Sequence, residues 1–126
     1  MKIKLNEKFV AEIFEVSELK VKPPPNFKEP YYIVAEARED LTVDFEFQAR
    51  RDVLRKNGKP QIHHRDLGKA QAYENYRHAT ATAHKMKSQE FNINRKYYVV
   101  GSEEAKIIQI LNEVSNGKFK KDISEL

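Results

Sequence analysis

Residues 41–50 are LTVDFEFQAR. Leu41, Val43, Phe45, Phe47 and Ala49 alternate with Thr42, Asp44, Glu46, Gln48 and Arg50. A period of two places one set on a buried face and the other on a wet one, the signature of a half-buried β-strand. Upstream, YYIVAEAR (31–38) is a second strand, and the short polar link Glu39-Asp40 makes the two a hairpin. Downstream, the strand character runs through Val53 and Leu54 to Asn57-Gly58, a strong hairpin signal because both positions tolerate positive φ. The return strand is expected at residues 61–64.

The outer segments complete the pattern. FVAEIFEV (9–16) is a further strand candidate. Pro23, Pro24, Pro25 and Pro30 then exclude a helix or a central strand and predict an exposed loop. Residues 70–88 contain neither Gly nor Pro, which predicts one helix with Tyr73, Tyr76, Thr80, Ala83 and Met86 or Lys87 along a stripe, lying across one end of the sheet. FNINRKYYVV (91–100) is a strand that Gly101 ends. Ser102 is the expected cap of a last helix, with Glu103 and Glu104 in its first turn and Ile107, Ile108, Leu111 and Val114 on its apolar face; Asn116-Gly117 stops it. The expected fold is α+β: an antiparallel sheet or a partly open barrel, a basic β-hairpin, one helix before the last strand and one C-terminal helix. At 126 residues one domain is expected, spanning 1–117, with 118–126 a loose charged tail.

Charge is local. Residues 50–98 hold 12 Lys or Arg against four Asp or Glu, a net of +8, with all four histidines and four of the six tyrosines. The flanks are acidic, −3 over residues 1–49 and −1 over 99–126. Concentrated cations beside Tyr and His point to a polyanion partner, most simply nucleic acid; a solvated basic face is the plainer alternative. Arg50, Arg51, Arg55, Lys56, Lys59 and Arg65 on the hairpin, Lys69, Arg77, Lys85 and Lys87 on and before the helix, and Arg95 and Lys96 on the strand are the candidate phosphate contacts. Lysines and arginines on an edge strand also block edge-to-edge association. In the pairs Tyr31-Tyr32 and Tyr97-Tyr98 neighbouring rings point to opposite faces, so Tyr32 and Tyr98 are candidates for base stacking unless a two-sided core buries both.

There is no cysteine, which excludes disulfides and zinc-thiolate sites. The N-terminus lacks the roughly 7- to 15-residue apolar run of a secretory signal, and no stretch approaches the roughly 20 apolar residues of a membrane span. A cytoplasmic protein without membrane contact is expected.

Strands followed by a helix and a further strand resemble the oligonucleotide/oligosaccharide-binding (OB) barrel over roughly residues 5–101, an architectural likeness with MKIKL as the candidate additional strand. Size, charge layout and lack of cysteine resemble the small phage- or plasmid-borne single-stranded DNA-binding proteins. That likeness implies sequence-tolerant binding of single-stranded DNA with no cofactor, self-association being left open. A second resemblance is to the HNH nuclease motif, carried by His63-His64, Asn75 and His84. It implies that His64 activates water as general base, that Asn75 orients it, and that His63 and His84 hold a divalent metal. One continuous helix over 70–88 would put Asn75 and His84 on opposite faces. A third reading, a protein-interaction module of a phage or mobile element, rests on the acidic flanks, the proline loop and the amphipathic last helix.

Overall fold

The computed structural model of this chain describes residues 18–39, 42–89, 95–115 and 118–120. The expected strand at 9–16, the candidate strand MKIKL, the first part of 91–100, the Asn116-Gly117 stop and the end of the C-terminal segment lie outside those residues. The hairpin forms as expected: β1 (Tyr32–Glu39) and β2 (Thr42–Gln48) pair antiparallel, with Glu39 opposite Thr42 and Val34 opposite Phe47. β3 (His63–His64) joins the far end of β2, and β4 (Lys96–Val100) joins β1. The fold is α+β with an open antiparallel sheet in the order β3-β2-β1-β4.

Helices cover both faces. α1 (Tyr76–Lys87) buries Tyr76, Ala79, Ala83 and Met86 against Ile33, Ala35, Tyr97 and Val99. α2 (Ser102–Ser115) buries Ala105, Ile108 and Leu111 against Val34, Phe45, Phe47, Tyr98 and Val100 on the other face. The alternation in 41–50 is therefore real where it is described. Phe45, Phe47 and Ala49 are buried, whereas Glu46 and Gln48 are only half so. Each large apolar side chain buried in this way contributes about 1.5–3 kcal/mol. No described helix is long and apolar enough to cross a membrane.

The outer edge of β2 is covered in three pieces. β3 takes Phe47 and Gln48, and β5 (Lys118–Lys120) takes Thr42, Val43 and Asp44. Between them the Nδ2 amide of buried Asn112, on α2, donates to the Phe45 carbonyl at 3.3 Å and to the Arg65 carbonyl at 3.1 Å. Lys118–Lys120 is thus part of the sheet, not of a loose tail starting at 118.

Four other expectations are corrected. The helix expected from residue 70 starts at Tyr76, because Ala70 bridges to Ala49 and Tyr73 bridges to Tyr31. The Tyr73 and Tyr31 backbones exchange bonds of 2.7 and 2.8 Å, and those extended pairings outweigh helix propensity. The helix packs on a face of the sheet, not across its end. The return strand expected at 61–64 is reduced to His63–His64, with a single bridge, Leu54 to Pro60, nearer the tip. Finally, Gly101 rather than Ser102 is the cap of α2: its carbonyl accepts the Ala105 N–H at 3.0 Å. Glycine is favoured there because a Cβ would stand 2.6 Å from Glu104 Oε1, 3.0 Å from the Lys28 nitrogen and 3.1 Å from its carbonyl oxygen.

Candidate nucleic-acid interface

Residues 50–62 leave β2 and return to β3 as an arm. Its root is fixed by Arg50. That guanidinium donates from Nε to Asp52 Oδ1 at 3.1 Å and from Nη1 to the Gly68 carbonyl at 2.6 Å. The Ala49 N–H donates to the Ile62 carbonyl at 2.9 Å and the Gln61 N–H to the Val53 carbonyl at 2.9 Å, holding the two limbs together. At the tip the Gly58 N–H returns to the Arg55 carbonyl at 2.9 Å, and the Arg55 N–H reaches the Lys59 carbonyl at 2.8 Å. Of the Asn57-Gly58 pair only Gly58, at φ +83°, takes positive φ. The tip is a three-residue turn ending in a glycine bulge, not the two-residue turn with both residues left-handed that Asn-Gly predicts. Asn57 serves it differently, its Oδ1 accepting the Lys59 N–H at 3.0 Å.

Leu54 through Pro60 are all exposed. Arg51, Arg55, Lys56 and Lys59 therefore stand in water, and among the described residues they meet no acidic side chain within salt-bridge distance. The exposed face of α1 adds Arg77, Lys85 and Lys87 with no Asp or Glu in that helix. Lys69, ending the 3₁₀ turn Leu67–Lys69, and Lys96, starting β4, are exposed as well.

Other predicted contacts serve the fold. Arg50 is committed to the arm root, and Arg65 is half-buried. Arg95, 27% exposed, reaches Glu46 Oε1 at 3.2 Å. Tyr98 is 6% exposed, and its hydroxyl donates to Glu36 Oε2 at 2.8 Å. Tyr97 is 1% exposed. A ring turned to solvent in that pair is thus corrected: each face of the sheet carries a helix, so alternation buries both. Tyr32 is half-buried, edge-on to Phe47 with ring centroids 6.2 Å apart.

The histidines are held by their own partners. Arg95 Nη1 lies 2.9 Å from His63 Nδ1, and because a guanidinium only donates, Nδ1 is the acceptor and Nε2 carries the proton. That Nε2–H donates to the Tyr97 hydroxyl at 2.9 Å. Burial, and then the Arg95 charge, push the His63 pKa down to about 4, so the ring is neutral. Burial likewise pushes the Tyr97 hydroxyl up, with Arg95 opposing it. His64 Nδ1 accepts the Asp66 N–H at 3.0 Å. His78 stands edge-on to Tyr73 at 5.2 Å, and His84 Nε2 is 3.4 Å from the Leu19 carbonyl.

These positions bear on the HNH likeness. Asn75 lies outside α1, as that motif requires, but as its N-cap, with Oδ1 accepting the His78 N–H at 3.2 Å. Both ring nitrogens of His63 are engaged within the protein. Among the described residues no group of three or more His, Asp or Glu stands close enough to hold a metal. The Glu46–Arg95–His63–Tyr97 cluster was not foreseen. Glu46 on the wet face of β2 was legible from the alternation, but its partners come from β3 and the approach to β4, which sequence does not align.

No family model, no curated protein and no solved structure matches the chain.

Proposed function

We propose that the chain binds nucleic acid with little sequence choice, gripping the phosphate backbone with the arm and with the basic face of α1. The observation that supports this most is the arm itself. Arg51, Arg55, Lys56 and Lys59 are exposed on a hydrogen-bonded support and are unneutralised among the described residues. Phosphate contact needs cations and no particular base, so it tolerates any sequence. Stacking contributes less than the tyrosine pairs promised, since Tyr98 is buried; single-stranded DNA is therefore one substrate to test beside duplex.

The test is fluorescence anisotropy with labelled oligo-dT and a labelled duplex at two salt concentrations, for the native chain and an Arg51/Arg55/Lys56/Lys59→Gln variant. The native chain binds and weakens steeply as salt rises. Each lost phosphate contact takes about 0.7–0.9 from the slope of log K against log salt, so the variant loses up to about 3–4. Equal affinity and slope in both proteins would remove the arm from the interface.

A further inference from the structure

The arm also carries a feature that phosphate binding does not use. Leu54 is 56% exposed and faces Pro60, also exposed, across an antiparallel bridge. Opposed residues of an antiparallel pair project from one face, so Leu54 and Pro60 make a joint apolar edge. Arg55 and Lys59, the next pair outward, project from the other face, and Lys56 lies at the tip. Leu54 does not belong to either hydrophobic cluster of the core. An apolar pair on an arm whose opposite face and tip are cationic is a poor core for a protein interface, where charge is depleted. It matches a polyanion with an apolar interior, which is a stack of base pairs between two phosphate backbones.

Resting on the nucleic-acid reading above, we propose that the arm enters the minor groove of duplex DNA and inserts Leu54, backed by Pro60, between adjacent base pairs, bending the duplex. Leu and Pro are among the side chains that wedge base steps open from that groove, and the bends they produce span roughly 20–90°. Lys56 at the tip meets a phosphate beside the wedge, and the long side chains of Arg55 and Lys59 reach round the edges of the arm toward the flanking backbones. A single strand offers no step confined between two backbones, and the minor groove of A-form RNA is wide and shallow. Pyrimidine–purine steps, the easiest to unstack, are the favoured positions.

The experiment uses a duplex labelled at both ends for energy transfer, with 2-aminopurine beside a central TA step, and the native chain, Leu54→Ser and Leu54→Met. The native chain shortens the end-to-end distance and brightens 2-aminopurine. Leu54→Ser still binds at low salt but leaves both signals at those of free duplex, and Leu54→Met restores them. Leu54 is exposed, so neither variant disturbs the core. Duplex binding with no change in either signal, or a Leu54→Ser protein that bends as well as the native chain, overturns the wedge and leaves phosphate binding standing. Binding of oligo-dT alone overturns it too. Failure to bind any nucleic acid at low salt overturns both readings.

Discussion

The Tyr97 hydroxyl and His63 Nε2 are 2.9 Å apart, although their strands are the two outer members of the β3-β2-β1-β4 order. Three strand spacings separate β4 from β3, roughly 14 Å. The tyrosine and the histidine span that width together, on the face where Ala35, the register partner of Tyr97 on β1, carries only a methyl. Tyr97→Phe therefore strands the Nε2–H of a half-buried histidine, which destabilises the fold by about 1–3 kcal/mol. Urea denaturation reads it. The loss shrinks to a few tenths of a kcal/mol when His63 is already glutamine, since the two residues share one interaction.

His63 also sets a pH dependence. Its pKa is 6.5 in the unfolded chain and about 4 in the folded one. Below pH 6.5 the unfolded chain takes up a proton that the folded chain refuses. Stability contributed by neutral His63 is thus complete above pH 6.5, falls as pH drops to about 4, and then levels off, the total on the order of 3 kcal/mol. Glu104 works in the opposite sense: burial raises its folded pKa, with the Gly101 and Glu104 backbone N–H groups opposing, so its contribution grows as pH falls. Denaturation midpoints between pH 7 and pH 4 decline for the native chain. The decline is removed in His63→Gln; a native slope surviving that substitution would assign it elsewhere.

Asn75→Ala removes the cap of α1 and costs about 1 kcal/mol, and Asn75→Ser or Asn75→Asp recovers most of it. Thermal unfolding followed by far-ultraviolet circular dichroism measures this. Equal loss in all three variants would mean that the side chain serves something other than the helix start.

Two glycines separate crowding from conformation. Gly101→Ala drives a methyl against the Lys28 backbone and the Glu104 carboxylate, costing about 1–3 kcal/mol. Gly58→Ala meets nothing within 4 Å, and its penalty is the φ of +83° alone, about 1 kcal/mol. Asparagine at 58 recovers part of that loss, whereas at 101 it fares worse than alanine. Chemical denaturation of the four proteins ranks them.

The hairpin, the two helices and the buried face of β2 were legible because alternation and helical spacing are local signals. The stripe Tyr76, Thr80, Ala83 and Met86 is found buried as its spacing requires. Misreadings arose where distant backbone intervened. Residues 70–75 have the composition of a helix but are drawn into extended pairings with Ala49 and Tyr31. The tyrosine pairs could not reveal which rings are exposed, because one strand does not say whether one or both sheet faces are roofed. In the site, the cations of the arm were visible as sequence, but the commitment of Arg50 and Arg95 to internal partners was not, since Gly68, Glu46 and His63 come from other parts of the fold.

The patchwork along the outer side of β2 has a kinetic consequence. Its three covers come from residues 63–64, Asn112 and 118–120, so a nascent chain halted before residue 112 leaves the outward-facing backbone groups of 42–45 open on that side. Ribosome-bound intermediates of that length are the ones poised to recruit strands from neighbouring copies. Completion of the last turns of α2 and the strand that follows it closes off that route.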